Sequence, residues 1–212
     1  MAKVQLLHNT PLWVAAKAIR TAWDSFDKGD TVDGEVGPKD KDLIYKVGNK
    51  FKHSSTLEHL VYTFEIKEIS RAVLAELSRH RIASLTVKST RYTLKELKEA
   101  DKILWDSAQE YLVFTGNEKV DRASVLALQN LQELLKQGIS NDIAKYSLPE
   151  SYKTELVWTV NARSLQNFLT LRTNKSALWE IRELAHAIYE AIPIDHKYLF
   201  DECIYSSEEK DG

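Results

Sequence analysis

A dense group of cationic and hydroxyl side chains lies between residues 78 and 92. Two guanidinium groups and an imidazole stand together at Arg79, His80 and Arg81, and Ser89 and Arg91 follow shortly after. Guanidinium groups match phosphate oxygens in a bidentate manner, and hydroxyl groups add neutral donors. This combination suits the binding of an anionic ligand. The same cations also occur at solvated helix C-termini, where they interact favourably with the helix dipole, so composition alone identifies no ligand.

Strand and helix signals precede this basic group. Residues 61–66 are rich in β-branched and aromatic side chains, which predicts a strand. Ser70 is a suitable N-cap for a helix that we expect to run to about Arg81. Glu76, Arg79 and His80 then stand at positions i, i+3 and i+4, which share a helix face. Residues 82–92 lack helical periodicity and are predicted to form a loop with room for a short strand.

The remaining elements are predicted from caps, turns and periodicity. Residues 4–7 suggest a short strand, Thr10 can cap a helix whose first residue is Pro11, and residues 29–38 read as an exposed loop. An amphipathic helix over 120–135 is expected to end at Gly138. Residues 156–160 suggest a second main strand.

Two further helices are expected in the C-terminal part, one capped by Asn161 and running through Leu171, the other capped by Ser176 and ending near Pro193. The mixed order of elements favours an α+β fold over a doubly wound sheet. We therefore predict a small antiparallel sheet with several helices in a single compact domain spanning 1–212. Its last residues, 206–212, are expected to be a frayed tail.

Composition narrows the class of protein. The formal net charge is −2 over 212 residues, whereas a protein that coats nucleic acid is usually strongly basic, so no nucleic-acid partner is expected. Cys203 is the single cysteine, which excludes an intramolecular disulfide and metal sites built on several thiolates. His53 and His59 lack a further ligand cluster, so no metal is expected. No apolar run approaches the roughly 20 residues that span a bilayer. We expect a cytoplasmic protein with no membrane partner.

The spacing of the basic group resembles the signature of the flavin-dependent thymidylate synthases. In that signature Arg79–Arg81 is followed, after seven residues, by Ser89. Further blocks resemble the family in the same order: His53–Ile66 before the signature, then Asn161–Arg172 and Ala177–Ala185 after it. The resemblance therefore covers most of the chain between residues 43 and 185.

The resemblance implies an enzyme that methylates dUMP to dTMP without a cysteine nucleophile. FAD is the implied cofactor, NADPH the reductant and methylenetetrahydrofolate the carbon donor. A homotetramer with active sites shared between subunits is also implied. The implied FAD positions are Ser55, Arg79, His80, Arg81, Val87, Asn161, Ala162, Arg163 and Asn167.

The implied dUMP positions are Glu76, Leu77, Ser78, Arg79, Val87, Lys88, Ser89, Thr90, Arg91, Lys145 and Arg172. Arg172 matches the arginine thought to activate the uracil, so it is the expected catalytic residue. It lies in line with an apolar stripe, where a charge needs a partner, a ligand or a route to water.

Three positions depart from the family pattern. Val87 stands where many relatives carry an acid, which leaves only its backbone for polar contact. Lys145 replaces a more usual arginine and loses the bidentate fork. Glu76 stands where some relatives have glutamine, and we expect it to accept a hydrogen bond from the uracil or a neighbouring arginine.

Two other functions stay open at this point. One is a different flavin or nucleotide enzyme on the same scaffold. The other is a non-catalytic nucleic-acid binder that uses the patch from Arg79 to Arg91, although the acidic overall charge argues against it. Cys203 lies beside Asp201 and Glu202, which would raise the pKa of its thiol, so we do not expect it to act as a nucleophile.

Overall fold

The structure is a computed structural model and describes residues 2–205. It contains a small antiparallel sheet of four strands in the order β1-β2-β4-β3. The strands are β1 (Lys3–Asn9), β2 (Val61–Ser70), β3 (Ala83–Val87) and β4 (Lys153–Asn161). The expected tail at 206–212 lies outside the described residues.

Nine α-helices are found in the described part of the chain. They are α1 (Leu12–Ala22), α2 (Pro38–Tyr45), α3 (Arg71–Leu77), α4 (Thr90–Glu99), α5 (Trp105–Ala108), α6 (Glu118–Lys136), α7 (Asn141–Ala144), α8 (Ala162–Arg172) and α9 (Trp179–Ala191). A π-helical turn at Lys46–Lys50 follows α2, and the 3-10 helices are Phe26–Lys28, Ser54–His59, Lys145–Ser147, Lys197–Leu199 and Asp201–Cys203. The α+β class predicted from the sequence is confirmed. Among the described residues no helix is long and apolar enough to cross a membrane.

The chain forms two compact units. The first unit contains Lys67–Arg79 and Thr86–Leu156, and the second contains Ala2–Ile66, His80–Leu85 and the described chain from Val157 onwards. The strands β2, β3 and β4 each contain residues of both units. The single domain expected from the sequence stays a prediction.

Each unit has its own apolar core. In the first unit α6 buries one face, and Val125, Leu128, Leu131 and Leu135 of that face join a cluster with residues of α4 and the segment around Leu112. In the second unit the core combines aliphatic side chains with several aromatic rings. Trp158 is fully buried, with its ring centroid 5.0 Å from that of Phe168 in α8.

Three local signals were correctly identified in the sequence. The Ser70 hydroxyl accepts a hydrogen bond from Val73 N–H at 3.1 Å and caps α3. The Asn161 side chain accepts from Ser164 N–H at 2.9 Å and caps α8. Gly138 follows α6 with a φ of +93°, a backbone conformation that glycine adopts without a steric penalty.

The predictions for residues 70–92 were wrong in two respects. The helix after Ser70 ends at Leu77 and not near Arg81. There the Ser78 hydroxyl donates to the Ala75 carbonyl at 2.8 Å, a local bond that competes with the helical ladder. The short strand expected within residues 82–92 is confirmed as β3, but the end of that segment is not a loop, because α4 begins there with Ser89 as its N-cap.

Two predicted caps were also wrong. The Thr10 hydroxyl accepts from Val61 N–H at 3.1 Å, so it holds the start of β2, and α1 begins at Leu12 without a side-chain cap. Ser176 donates its hydroxyl to Asn174 at 2.8 Å, while α9 begins later, at Trp179. In both cases a nearby alternative partner takes the hydroxyl before the helix begins.

Candidate functional site

Helix α8 positions most of the predicted cofactor and catalytic residues of the second unit. Arg163 and Asn167 stand four residues apart and are both exposed, as expected for neighbours on one helix face. Arg172 is the last residue of the helix and is half-buried. The buried side of α8 carries Leu165, Phe168 and Leu169, which fix the helix against the core.

The N-terminal end of α8 bears an ion pair between two of the sequence motifs. Glu58 Oε1 accepts from Arg163 Nη1 at 2.7 Å. Glu58 belongs to the 3-10 helix Ser54–His59, which packs against α8. Ser55, on the same 3-10 helix, is exposed. The upstream block of the sequence and the second block therefore meet at this end of the helix.

The other end of α8 contacts His80. Arg172 Nε donates to His80 Nε2 at 3.1 Å, and the His80 ring packs edge-on to Phe168 with centroids 5.0 Å apart. An imidazole is thus one partner of the charge that lies in line with the apolar stripe. Because α3 ends at Leu77, the helix face predicted to join Glu76, Arg79 and His80 is wrong.

Asn161 and Ala162 have backbone and capping roles at the start of α8. The side-chain oxygen Oδ1 of Asn161 caps the helix, which leaves the side-chain NH2 group as a donor. Ala162 is fully buried, and its N–H donates to the Leu60 carbonyl at 2.7 Å. Arg81, which follows His80, is exposed.

In the first unit two predicted dUMP residues share one acidic neighbour. Arg91 Nε lies 3.7 Å from Asp142 Oδ1, and Lys145 Nζ lies 3.6 Å from the same oxygen. The Asn141 amide also donates to the Arg91 carbonyl at 3.0 Å. The Arg91 side chain is 74% exposed and that of Lys145 is 41% exposed, and together they form a positive surface that suits a phosphate group.

The end of β3 brings other predicted residues to the surface. Lys88 forms an ion pair with Glu155 at 3.0 Å and lies 3.9 Å from Glu96. The Val87 side chain is exposed, and it has no hydrogen-bonding group to offer a ligand. Ser89 accepts from Arg91 N–H at 3.3 Å, so its hydroxyl caps α4. Arg91 and Lys145 thus share Asp142 as their acidic neighbour, whereas Lys88 pairs with Glu155 and lies near Glu96.

The residues around the end of α3 differ in exposure. Leu77 is fully buried, so only its backbone is available to a ligand. Ser78 and Arg79 are exposed, and Glu76 is half-buried on the last turn of α3. Thr90 is the first residue of α4 and is half-buried.

Sequence reasoning missed two acidic residues of these surfaces. Asp142 was not considered, although its position three residues before Lys145 is a recognisable ion-pair spacing. Glu155, the partner of Lys88, carries no such signal because the contact depends on how β4 lies in the fold. Glu58 stood inside a recognised block, but its pairing with Arg163 spans more than a hundred residues and left no local signal.

Cys203 is half-buried near the end of the described chain, and its backbone carbonyl accepts a hydrogen bond from the Thr173 hydroxyl at 3.3 Å. Burial raises the pKa of Cys203, and Glu202 and Asp201 raise it further, while a hydrogen bond with Thr170 opposes them. The thiol is therefore protonated at neutral pH and poorly suited to attack. In residues 2–205 no cluster of three His, Cys, Asp or Glu side chains is arranged to hold a metal ion.

Comparison with known proteins connects these surfaces to one enzyme family. The family profile described as thymidylate synthase complementing protein matches residues 5–193. A flavin-dependent thymidylate synthase of Wolinella succinogenes is 62% identical over 200 residues, which cover 93% of this chain and 96% of that protein. One of Campylobacter jejuni is 59% identical over 210 residues, with 98% and 100% covered.

Solved structures give the same result for the fold. Thymidylate synthase X from Helicobacter pylori, in a crystal structure with FAD and dUMP, superposes with a TM-score of 0.91 at 55% sequence identity. The match covers 97% of this chain and 100% of that one. A second structure of the same enzyme, complexed with FAD and dUMP, gives a TM-score of 0.90 at 56% identity. These matches favour a flavin-dependent synthase over the two alternatives left open by the sequence.

Proposed function

This chain belongs to the family of flavin-dependent thymidylate synthases, and from this premise we propose which of its residues bind FAD and which carry the conversion of dUMP to dTMP. The observation that supports the assignment most is the meeting of three motif blocks along α8. Glu58 contacts Arg163 at one end of the helix, and His80 contacts Arg172 at the other. Residues far apart in sequence thus converge where the family pattern requires a ligand.

The residues of this region fit a flavin dinucleotide. Arg163 is exposed and presents a guanidinium group, Asn161 and Asn167 offer side-chain amides, and Arg81 adds an exposed cation. This donor set suits the anionic pyrophosphate and the polar edge of FAD. We assign the cofactor to these residues together with Ser55, Arg79, His80, Val87 and Ala162. When bound, FAD supplies hydride transfer, with NADPH as reductant and methylenetetrahydrofolate as carbon donor.

The nucleotide substrate is assigned to the cations of the first unit and to Arg172. Arg91 and Lys145 both lie near Asp142. They would bind the phosphate of dUMP and give up part of their contact with Asp142. Ser89 and Thr90 add hydroxyl groups, and residues 76–79, Val87 and Lys88 complete the proposed surface. Arg172 would stabilise negative charge that develops on the uracil ring during the reaction, because a fixed donor aimed at developing charge lowers the barrier.

The chain's only cysteine takes no part in the proposed reaction. Its half-buried thiol has a pKa raised by burial, Glu202 and Asp201, whereas a nucleophilic cysteine is activated by a lowered pKa. The uracil is instead activated by the charge of Arg172. A single cysteine also agrees with a reducing, cytoplasmic location.

The proposal includes a homotetramer whose active sites are shared between subunits. Large apolar side chains are exposed beside the predicted dUMP residues of the first unit. Tyr92 is 70% exposed next to Arg91, and Tyr146 is 87% exposed next to Lys145. Aromatic residues of this kind are enriched at protein interfaces, which supports a contact with a second copy or with substrate at this surface.

The test is the absorption spectrum and the activity of the purified protein. We expect the visible bands of bound flavin and formation of dTMP from dUMP, methylenetetrahydrofolate and NADPH. Without NADPH, the protein should form no more than one dTMP per active site. A colourless protein that forms no dTMP even with added FAD would contradict the assignment.

A further inference from the structure

The ion pair between Glu58 and Arg163 differs in geometry from two other arginine–carboxylate pairs of this protein. Glu58 Oε1 accepts from Nη1 of Arg163 at 2.7 Å, and among the described residues the guanidinium has no other hydrogen bond or ion pair. In two other pairs of this protein the carboxylate takes the side edge of the guanidinium. Asp40 accepts from Arg20 Nε and Nη2, and Glu118 accepts from Arg122 Nε and Nη2.

The end-on contact leaves the side edge of Arg163 for a ligand. The Nε and Nη2 donors of a guanidinium form the fork that matches two oxygens of a phosphate. A carboxylate bound at Nη1 restrains the side chain without occupying that fork. Glu58 therefore leaves Arg163 able to make its strongest kind of contact.

We propose that Glu58 is a positioning residue for FAD, which holds Arg163 by Nη1 so that its Nε and Nη2 donors are set to bind the anionic oxygens of the cofactor. This inference rests on the proposed function and goes beyond it, since the family signature assigns Arg163 but gives Glu58 no role. Restraining a long side chain before the ligand arrives lowers the ordering cost of binding.

The backbone around the pair is held firmly. Leu57, the residue before Glu58, is fully buried and anchors the 3-10 helix. Ala162, the residue before Arg163, donates its N–H to the Leu60 carbonyl at 2.7 Å. The two side chains therefore project from backbone segments that are fixed to each other, which a positioning role requires.

A role in stability alone explains the pair less well. The side chain of Arg163 is 56% exposed and that of Glu58 is 46% exposed. Ion pairs between exposed side chains contribute little to folding because solvent screens the charges. The opposite functional role is competition, in which Glu58 would repel the cofactor's phosphates and its removal would strengthen binding.

The experiment measures FAD retention in the loaded protein. Serial dilution of wild type and Glu58→Gln, followed by the rise in flavin fluorescence on release, gives the dissociation constant without an activity assay. We expect Glu58→Gln to weaken FAD binding about tenfold, the loss typical of a charge-assisted hydrogen bond. The matched control is Glu118→Gln, which removes the exposed partner of Arg122 and should leave FAD binding unchanged.

Two further variants separate positioning from a general charge effect. Glu58→Asp keeps the charge but shortens the reach to Nη1, so it should also weaken FAD binding. In an Arg163→Gln background the Glu58→Gln substitution should have no additional effect, because the residue it positions is gone. Unchanged or tighter FAD binding in Glu58→Gln, or the same tenfold loss in the Arg163→Gln background, would overturn the positioning role. If wild type bound no FAD, both this inference and the proposed function would be wrong.

Discussion

Nε of Arg172 donates a hydrogen bond to Nε2 of His80 at a distance of 3.1 Å. An accepting Nε2 carries no proton, so the neutral imidazole in this arrangement has its hydrogen on Nδ1. The ring is held in turn by its edge-on packing against Phe168. The guanidinium that we assign to uracil activation is therefore oriented by a histidine of the signature motif.

This arrangement predicts that the shape of Arg172 matters as much as its charge. Arg172→Lys keeps a positive charge but loses the planar fork and the Nε donor that contacts His80. We expect turnover at saturating dUMP to fall about a hundredfold to a thousandfold in Arg172→Ala, comparable to the loss of an oxyanion-hole donor, and to stay strongly reduced in Arg172→Lys. Steady-state kinetics with varied dUMP measures both.

The matched change at the other end of α8 is Arg163→Ala. It should weaken FAD retention and recover part of its activity when FAD is added, whereas Arg172→Ala should stay yellow and keep its reduced turnover. Near-normal turnover in Arg172→Lys would show that charge alone suffices. Near-normal turnover in Arg172→Ala would remove the residue from the site.

The surface around Asp142 predicts how the substrate's phosphate is bound. Lys145→Ala removes one of two cations near Asp142 Oδ1 and should raise KM for dUMP about tenfold, the loss expected for a charged hydrogen bond. Lys145→Arg keeps the charge and adds a fork, so it should bind dUMP at least as well as wild type. Lys95→Ala, which breaks an exposed pair with Glu99 on α4, is the control. An unchanged KM in Lys145→Ala would place the phosphate elsewhere.

The environment of Cys203 predicts that its thiol is dispensable for catalysis. Burial and the neighbouring acids raise the pKa of the thiol, so little thiolate exists at neutral pH. We expect Cys203→Ala to keep most of its dUMP methylation when it is folded and loaded with FAD. Loss of turnover in such a protein would show that the thiol takes part in the reaction.

The pKa of Asp40 predicts how the free energy of unfolding falls at low pH. Burial alone would raise the pKa of this carboxyl, but hydrogen bonds from Thr31, Arg20 and Asp30 outweigh it and hold the pKa below its ordinary value of 3.8. A depressed folded-state pKa contributes stability that is fully present above 3.8 and is lost as the pH falls through the folded value.

Asp40→Asn should therefore lower the free energy of unfolding at neutral pH by about 3 kcal/mol, because it leaves the buried Arg20 charge without its partner. Asp42→Asn, which affects the exposed pair with Lys46, should change it by less than about 0.5 kcal/mol. Denaturant titration at neutral pH and near pH 3 measures both values. Equal stability of the two variants at neutral pH would show that the Asp40 network is not stabilising.

The sequence predicted those features that depend on near neighbours in the chain. Ser70 and Asn161 cap helices because their side-chain oxygens reach N–H groups three residues ahead. Ser176 fails as a cap because Asn174, two residues away, takes its hydroxyl. The helix end at Leu77 was missed because the periodicity of the sequence continues past the point where Ser78 bonds locally.

For the candidate site, the sequence predicted the residues but not the contacts between them. The motif resemblance named Arg163, Arg172 and His80, but it gave none of their contacts. Glu58 and Arg163 are 105 positions apart, and His80 and Arg172 are 92 apart, so their pairing depends on the tertiary fold and not on any local pattern. Glu155 was missed for the same reason, whereas Asp142 has a local ion-pair spacing to Lys145 that was overlooked.

The most direct test of the proposed chemistry is the identity of the folate product. In the cysteine-free reaction the hydride comes from reduced flavin, so methylenetetrahydrofolate gives up its one-carbon unit and leaves as tetrahydrofolate. Chromatography of the folates after a known amount of dTMP has formed, with NADPH in excess, should find one tetrahydrofolate for each dTMP. One dihydrofolate for each dTMP would contradict the account, because folate would then have supplied the hydride.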